Sequence, residues 1–183
     1  FSMYAFDAPL AFARVINVER RADYSLDVEG IEAAARESGA KLLFVCSPNN
    51  PDGSLISPET IDRLLELPLV VVLDEAYNEF SGAESLAARV PDTPNLVVLR
   101  TFSKWAGLAG LRVGFGILPA EIIAHLWKIK QPYNLNAAAD AAARGQKVKH
   151  GREQAAEGQG FQQKARQLRD GAGAHHGVVE LLR

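Results

Sequence analysis

Apolar and polar positions alternate in two ways along the first 144 residues. Short continuous apolar runs read as strands: Lys41-Leu42-Leu43-Phe44-Val45-Cys46, Leu69 to Leu73, Leu96 to Leu99, and Arg112 to Ile117. Arg14-Val15-Ile16-Asn17-Val18 is a further β-rich run. Between these runs lie stretches with helical spacing. Leu26 to Glu37 reads as a helix, because Val28, Ile31, Ala34 and Ala35 share a face and Gly39 suits its end. Ser57 is placed to cap the next helix, Pro58 suits its first turn, and Ile61, Leu64 and Leu65 lie on one side. Pro119 to Lys130 reads as another. Strands that are apolar throughout are expected in a sheet buried on both faces. The fold class is therefore α/β, a mostly parallel sheet flanked by helices.

The pattern stops near Arg144. Residues 145–183 contain no Ser, Thr, Pro, Asn, Ile or Tyr, and they hold 7 of the 15 Gly. Their 7 Lys or Arg against 4 Asp or Glu make this stretch +3, so the first 144 residues carry −5 of the net −2. Apolar residues here are too sparse for a second core. The expected division is a large domain over 1–144 and a Gly/Gln/Arg-rich tail over 145–183. The tail has two readings: a flexible basic extension, or a translation that has left its reading frame. At most a frayed helix is expected near Glu153 to Leu168.

The whole chain has 183 residues, 48% hydrophobic and 23% charged, which is globular composition. Near-neutral charge lacks the footprint of a nucleic-acid binder. No apolar run approaches the roughly 20 residues of a membrane-spanning helix. A single cysteine, Cys46, permits no intrachain disulfide and fits a reducing, cytoplasmic setting. The chain opens on Phe1 without a signal segment and reads as a piece of a longer protein.

In open α/β sheets, ligands sit beyond the carboxyl ends of the strands. Four polar segments fall there: Asn49-Asn50-Pro51-Asp52-Gly53, Asp74-Glu75-Ala76-Tyr77, Thr101-Phe102-Ser103-Lys104, and Arg112 after a Gly-rich turn. Each alone has an ordinary explanation as a turn, a helix cap, a solvated lysine or an ion pair. Their joint order carries the signal. The run LVVVLDE also resembles the Mg²⁺-binding strand of a phosphate-loop NTPase. That reading requires an upstream G-x-x-x-x-G-K-[ST] loop, and Gly39-Ala40-Lys41-Leu42 does not supply one. Gly114-Phe115-Gly116 lies within a predicted strand and is followed by Pro119, so it is no dinucleotide fingerprint.

The blocks SPNNPDGS, VVVLDEAYNEF, LRTFSKWAGLAGLRVGFG and KQPYNLNAAA resemble, in order and spacing, those of the class I/II aminotransferases, the fold-type I pyridoxal-phosphate (PLP) enzymes. They are most similar to the histidinol-phosphate branch. The resemblance covers about Phe1 to Arg144 and implies a partial PLP-binding large domain, without the small C-terminal domain. It implies a role for each residue. Lys104 would condense with the PLP aldehyde and then shuttle the substrate proton. Asp74 would pair with the pyridine nitrogen. Tyr77 and Asn50 would approach the phenolic oxygen. Arg112 would clamp the phosphate, with Thr101 and Ser103 completing the cup. Phe1 stands where the family stacks an aromatic on the ring. The catalytic set is then Lys104, Asp74 and Tyr77, and no metal is called for.

The same resemblance implies transfer of an amino group between an amino acid or amino-alcohol phosphate and a 2-oxo acid, in a homodimer without nucleic-acid or membrane partners. A related PLP enzyme, such as an aromatic aminotransferase or a threonine-phosphate decarboxylase, shares these cofactor blocks. An inactive fragment is a further alternative. The family's N-terminal segment and the small-domain arginine that binds the substrate carboxylate have no counterpart here, so the isolated chain is expected to lack turnover. Glu75 and Glu79 read as structural acids, His125 as packing or surface, Cys46 as inert core, and His175-His176 as too sparse for a metal site.

Overall fold

A computed structural model of the chain describes residues 2–146. The expected features of the tail beyond Gln146, and Phe1, lie outside the described residues. The fold divides into two compact units between Arg100 and Thr101.

The first unit is built on parallel strands. β1 is Leu42–Cys46, β2 is Val70–Asp74 and β3 is Leu96–Thr101, the last ending at the unit boundary. β1 pairs β2, and β2 pairs β3, both parallel. The crossover from β1 to β2 carries a helix, as a parallel pair requires. Val71, Val72 and Leu73 of β2 and Leu96, Val97 and Val98 of β3 are buried, as their unbroken apolar runs predict. β1 departs from that expectation. Leu42 and Phe44 are 55% and 41% exposed, and among its residues only Val45 is buried. β1 has β2 on one side and no further strand on the other among the described residues, so its apolar run marks an edge of this unit.

Short helices accompany the strands. α1 is Ser2–Asp7, α2 is Val28–Ser38 and α3 is Pro58–Leu65, with α4 (Ala120–Leu126) in the second unit. α2 starts two residues later than its periodicity predicts and buries Val28, Ile31 and Ala35. It ends where expected, at Gly39, whose φ of 64° is a left-handed cap conformation that glycine adopts without steric cost. α3 is capped as predicted: Ser57 Oγ accepts from Thr60 N–H at 3.2 Å, Pro58 occupies the first turn, and Ile61 and Leu64 are buried. Asn95 then ties the end of this helix to the strands, its Nδ2 donating to Leu65 O and Leu69 O.

Two predicted elements differ. Arg14–Val18 is irregular, not a strand. Its β propensity finds no ladder partner, and Val15 and Ile16 remain exposed. The helix predicted over Pro119–Lys130 closes at Leu126, and turns follow at 127–129. Ile123 is the buried anchor of α4, whereas Trp127 and Ile129 face outward and give the last predicted turn no apolar partner. In the second unit β4 is Gly114–Ile117, and 137–146 is helical. The PYNLN segment before it is non-helical, and Asn136 Oδ1 accepts from Ala139 N–H as the helix begins. Among the described residues no helix is long and apolar enough to cross a membrane.

The loop after β2 is pinned from below by a buried ion-pair cluster. Glu75 is 2% exposed. Its carboxylate accepts from Ser85 Oγ at 2.5 Å, from Leu86 N–H at 2.8 Å and from Arg100 Nη1 at 3.2 Å. Arg100 Nη2 also donates to Glu79 at 2.5 Å, and Arg100 Nε is buried without a hydrogen-bond partner. Both acids are structural, as expected from sequence. Removing the cation from such a cluster strands a buried carboxylate, which costs about 3–5 kcal/mol. Arg100→Ala should therefore lower unfolding free energy by about that amount. Chemical denaturation of the parent and variant chains measures it; a loss within about 0.5 kcal/mol, the range of an ordinary surface change, would contradict this account.

Candidate active site

The parallel register sets the level of the polar strand ends. Cys46 is opposite Asp74, and Asp74 is opposite Leu99. Ser47 N–H donates to Asp74 O at 3.0 Å, and Glu75 N–H to Leu99 O at 2.9 Å. The turn after β1 and the turn after β2 thus leave the sheet side by side.

The first turn holds Asn50. Asn49 N–H donates to Ser54 O and Gly53 N–H to Asn49 O, both at 2.8 Å. Gly53 has φ +73°, which a side chain would strain. Asp52 closes the turn by accepting from Asn49 Nδ2 and from Ser54 N–H. The Ser54 side chain and backbone hold the Asp52 carboxyl below its ordinary range, with Asn49 adding to the effect. Arg20 braces the turn, donating to Ser54 Oγ at 3.3 Å and Cys46 O at 3.4 Å. Asn50 itself is exposed at the tip.

Asp74 is half-buried at the end of β2. Oδ1 accepts from Ala76 N–H at 2.9 Å, and Oδ2 from Tyr4 Oη at 2.5 Å. An ionised carboxylate has about four acceptor sites, so this one retains capacity for a further donor. Tyr77 follows three residues later, its ring 6.5 Å from that of Phe80. Cys46 is half-buried, not core, and burial, then the Asp74 charge, push its thiol pKa up. That favours the unreactive thiol form.

The second unit carries the remaining residues. Thr101 Oγ1 accepts from Ser103 N–H at 3.1 Å and donates to Val113 O at 3.5 Å. Phe102 N–H also donates to Val113 O, which lays the segment bearing Thr101, Ser103 and Lys104 against the one bearing Arg112. The loop after Lys104 is closed by Gly107 N–H to Lys104 O and Leu108 N–H to Phe102 O. Phe102 packs against Trp105 and Phe115, with ring centroids 5.7 and 5.5 Å away, and anchors the loop from inside. Lys104 is exposed. Arg112 is exposed too, with φ 56° and ψ 49°. Its Nη1 donates to Ala109 O at 2.7 Å. A guanidinium has five N–H donors, so others are available to an anion.

The donor set fits PLP chemically. The first unit offers a carboxylate with spare acceptor capacity, a phenol and an amide; the second offers an amine, two hydroxyls and a guanidinium. His125 is exposed on α4, with Nδ1 3.5 Å from Lys128 Nζ. Sequence reasoning missed Tyr4, Arg20 and Arg100. All three act on residues 20 or more positions away, and no local pattern marks them.

Comparison with known proteins places these blocks in a family. The chain is 54% identical over 143 residues to histidinol-phosphate aminotransferase of Roseiflexus castenholzii, covering 78% of this chain and 38% of that relative. Among solved structures, histidinol-phosphate aminotransferase of Sinorhizobium meliloti in complex with pyridoxal-5'-phosphate is 30% identical, with a TM-score of 0.71 over 78% of this chain and 40% of that one. The L-threonine-O-3-phosphate decarboxylase of Porphyromonas gingivalis is 28% identical, with a TM-score of 0.67 over 79% of this chain and 43% of that one. The chain thus spans about two fifths of the length of the relatives it matches. The family model described as aminotransferase class I and II matches residues 1–178, and the chain belongs to that family.

Proposed function

We propose that this chain contributes the PLP-binding face of an aminotransferase of the histidinol-phosphate type. It would transfer an amino group between an amino-alcohol phosphate or amino acid and a 2-oxo acid. The observation that carries the reading is the Asp74 carboxylate, set at the end of a central parallel strand and held by two donors with acceptor capacity to spare. Identity of 54% to a histidinol-phosphate aminotransferase supports this substrate class over threonine-phosphate decarboxylation.

When bound, PLP supplies an electrophilic aldehyde and a ring that takes up the electrons released at the substrate Cα. Lys104 Nζ would anchor the cofactor and would carry the proton of the substrate Cα. Asp74 accepts from the ring N–H and keeps the proton there. Tyr77 Oη and Asn50 Nδ2 donate to the phenolic oxygen. Arg112 and the Thr101 and Ser103 hydroxyls bind the phosphate. Phe1 is proposed to lie on the ring face. A homodimer and a cytoplasmic setting complete the proposal.

Three substitutions test the roles. With PLP added, the parent chain should develop the visible absorbance of lysine-bound cofactor, and borohydride should fix the cofactor on the peptide containing Lys104. Lys104→Ala should lose both signals; cofactor fixed on another lysine would overturn the assignment. Asp74→Asn, placed within a full-length enzyme carrying this segment, should retain PLP and lose turnover by about 10²–10³-fold, the scale of one preorganised electrostatic group. Steady-state kinetics with histidinol phosphate and a 2-oxo acid, beside carbon dioxide release from threonine phosphate, reads this loss and separates the two reactions. Arg112→Ala should weaken PLP affinity about tenfold or more, since a charge-assisted contact to an anion is removed. A PLP titration showing unchanged affinity would remove Arg112 from the phosphate site.

A further inference from the structure

Asp74 is held by one bond from its own turn and one from far along the chain. The Ala76 N–H bond is local and moves with the β2 turn. The Tyr4 bond comes from α1, 70 residues earlier. Tyr4 is itself seated by aromatic stacking: its ring lies 4.5 Å from that of Phe44, with planes 24° apart. Phe44 is on β1, directly opposite Val72 of β2. Tyr4, Phe44 and Asp74 therefore form a small frame across two paired strands, with the phenol hydroxyl at its apex.

We infer that Tyr4 is a positioning residue for Asp74: its hydroxyl holds the carboxylate so that a remaining lone pair of Oδ2 faces the cofactor's ring nitrogen. This inference rests on the proposed pairing of Asp74 with that nitrogen. Its physical basis is that an O–H···O⁻ bond is short, directional and roughly twice as strong as a neutral one. A carboxylate held only by its own turn would rotate about its last side-chain bond and present its lone pairs over a range of directions. The stack on Phe44 restricts the Tyr4 ring, so the hydroxyl arrives pre-placed. A competing arrangement is that Tyr4 occupies the ring-nitrogen position and must leave before PLP binds. The two arrangements predict opposite effects on affinity.

The test uses the full chain, PLP and PLP labelled with ¹⁵N in the ring. Tyr4→Phe keeps the stack on Phe44 and removes only the hydroxyl. The expected result is PLP binding weakened about tenfold, the scale of one hydrogen bond to a charged group. The ring ¹⁵N resonance should also move part of the way towards its position in Asp74→Asn. A purely structural role for Tyr4 would not move that resonance. Affinity that is unchanged or tighter in Tyr4→Phe, or a resonance that stays at the parent position, overturns the inference. If Asp74→Asn also leaves the resonance unmoved, the pairing of Asp74 with the ring nitrogen has failed; if only Tyr4→Phe leaves it unmoved, that pairing stands and the role of Tyr4 falls.

Discussion

The parallel register of β1, β2 and β3 is the constraint on which the first half of the site depends. In a parallel ladder, strands that start level also end level, and the chain leaves each at the same edge of the sheet. Here Cys46, Asp74 and Leu99 are opposite one another. The polar turns after β1 and β2 need no further arrangement to become neighbours. A shift of one residue in β2 would turn Asp74 to the other face of the sheet and bring Leu73 or Glu75 to the strand end in its place. The apolar packing of Val71, Val72 and Leu73 resists that shift, so hydrophobic burial sets where a carboxylate stands.

Burial also divides the labour between adjacent acids. Asp74 keeps partial exposure and unfilled acceptor sites, whereas Glu75 is enclosed by a hydroxyl, a backbone N–H and a guanidinium. The enclosed acid fastens the turn, and its neighbour remains available to a ligand. Arg100 satisfies two acids at once, which reduces the desolvation cost of each. The cluster adds rigidity to the segment that carries both Asp74 and Tyr77.

Local chemistry was legible in the sequence where it was decided locally. Ser57 with Pro58, and Gly39, announce their structure because the deciding interactions span four residues or fewer, and the runs of β2 and β3 do so because they are apolar throughout, as burial on both faces requires. Arg14–Val18 shows the converse: its residues suit a strand, but a strand exists only with a partner, and propensity cannot name one. The helix of Pro119–Lys130 ends short of its sequence pattern because helical spacing continues past the point at which a buried surface is available to Trp127 and Ile129. The proposed site residues rest on the order of their blocks and the family resemblance. Their supports were not legible in the sequence, since Tyr4 and Arg100 reach their partners by folding back across 70 and 25 residues.

Arg112 holds a left-handed backbone conformation at φ 56° in which side chains are normally disfavoured. An L residue there is strained by about 1–2 kcal/mol relative to the right-handed form, a penalty that glycine escapes. The stability of the isolated fold alone would thus favour glycine at this position, and the proposed contact to an anion would favour arginine. Arginine at position 112 therefore carries a local cost in backbone stability that glycine would not.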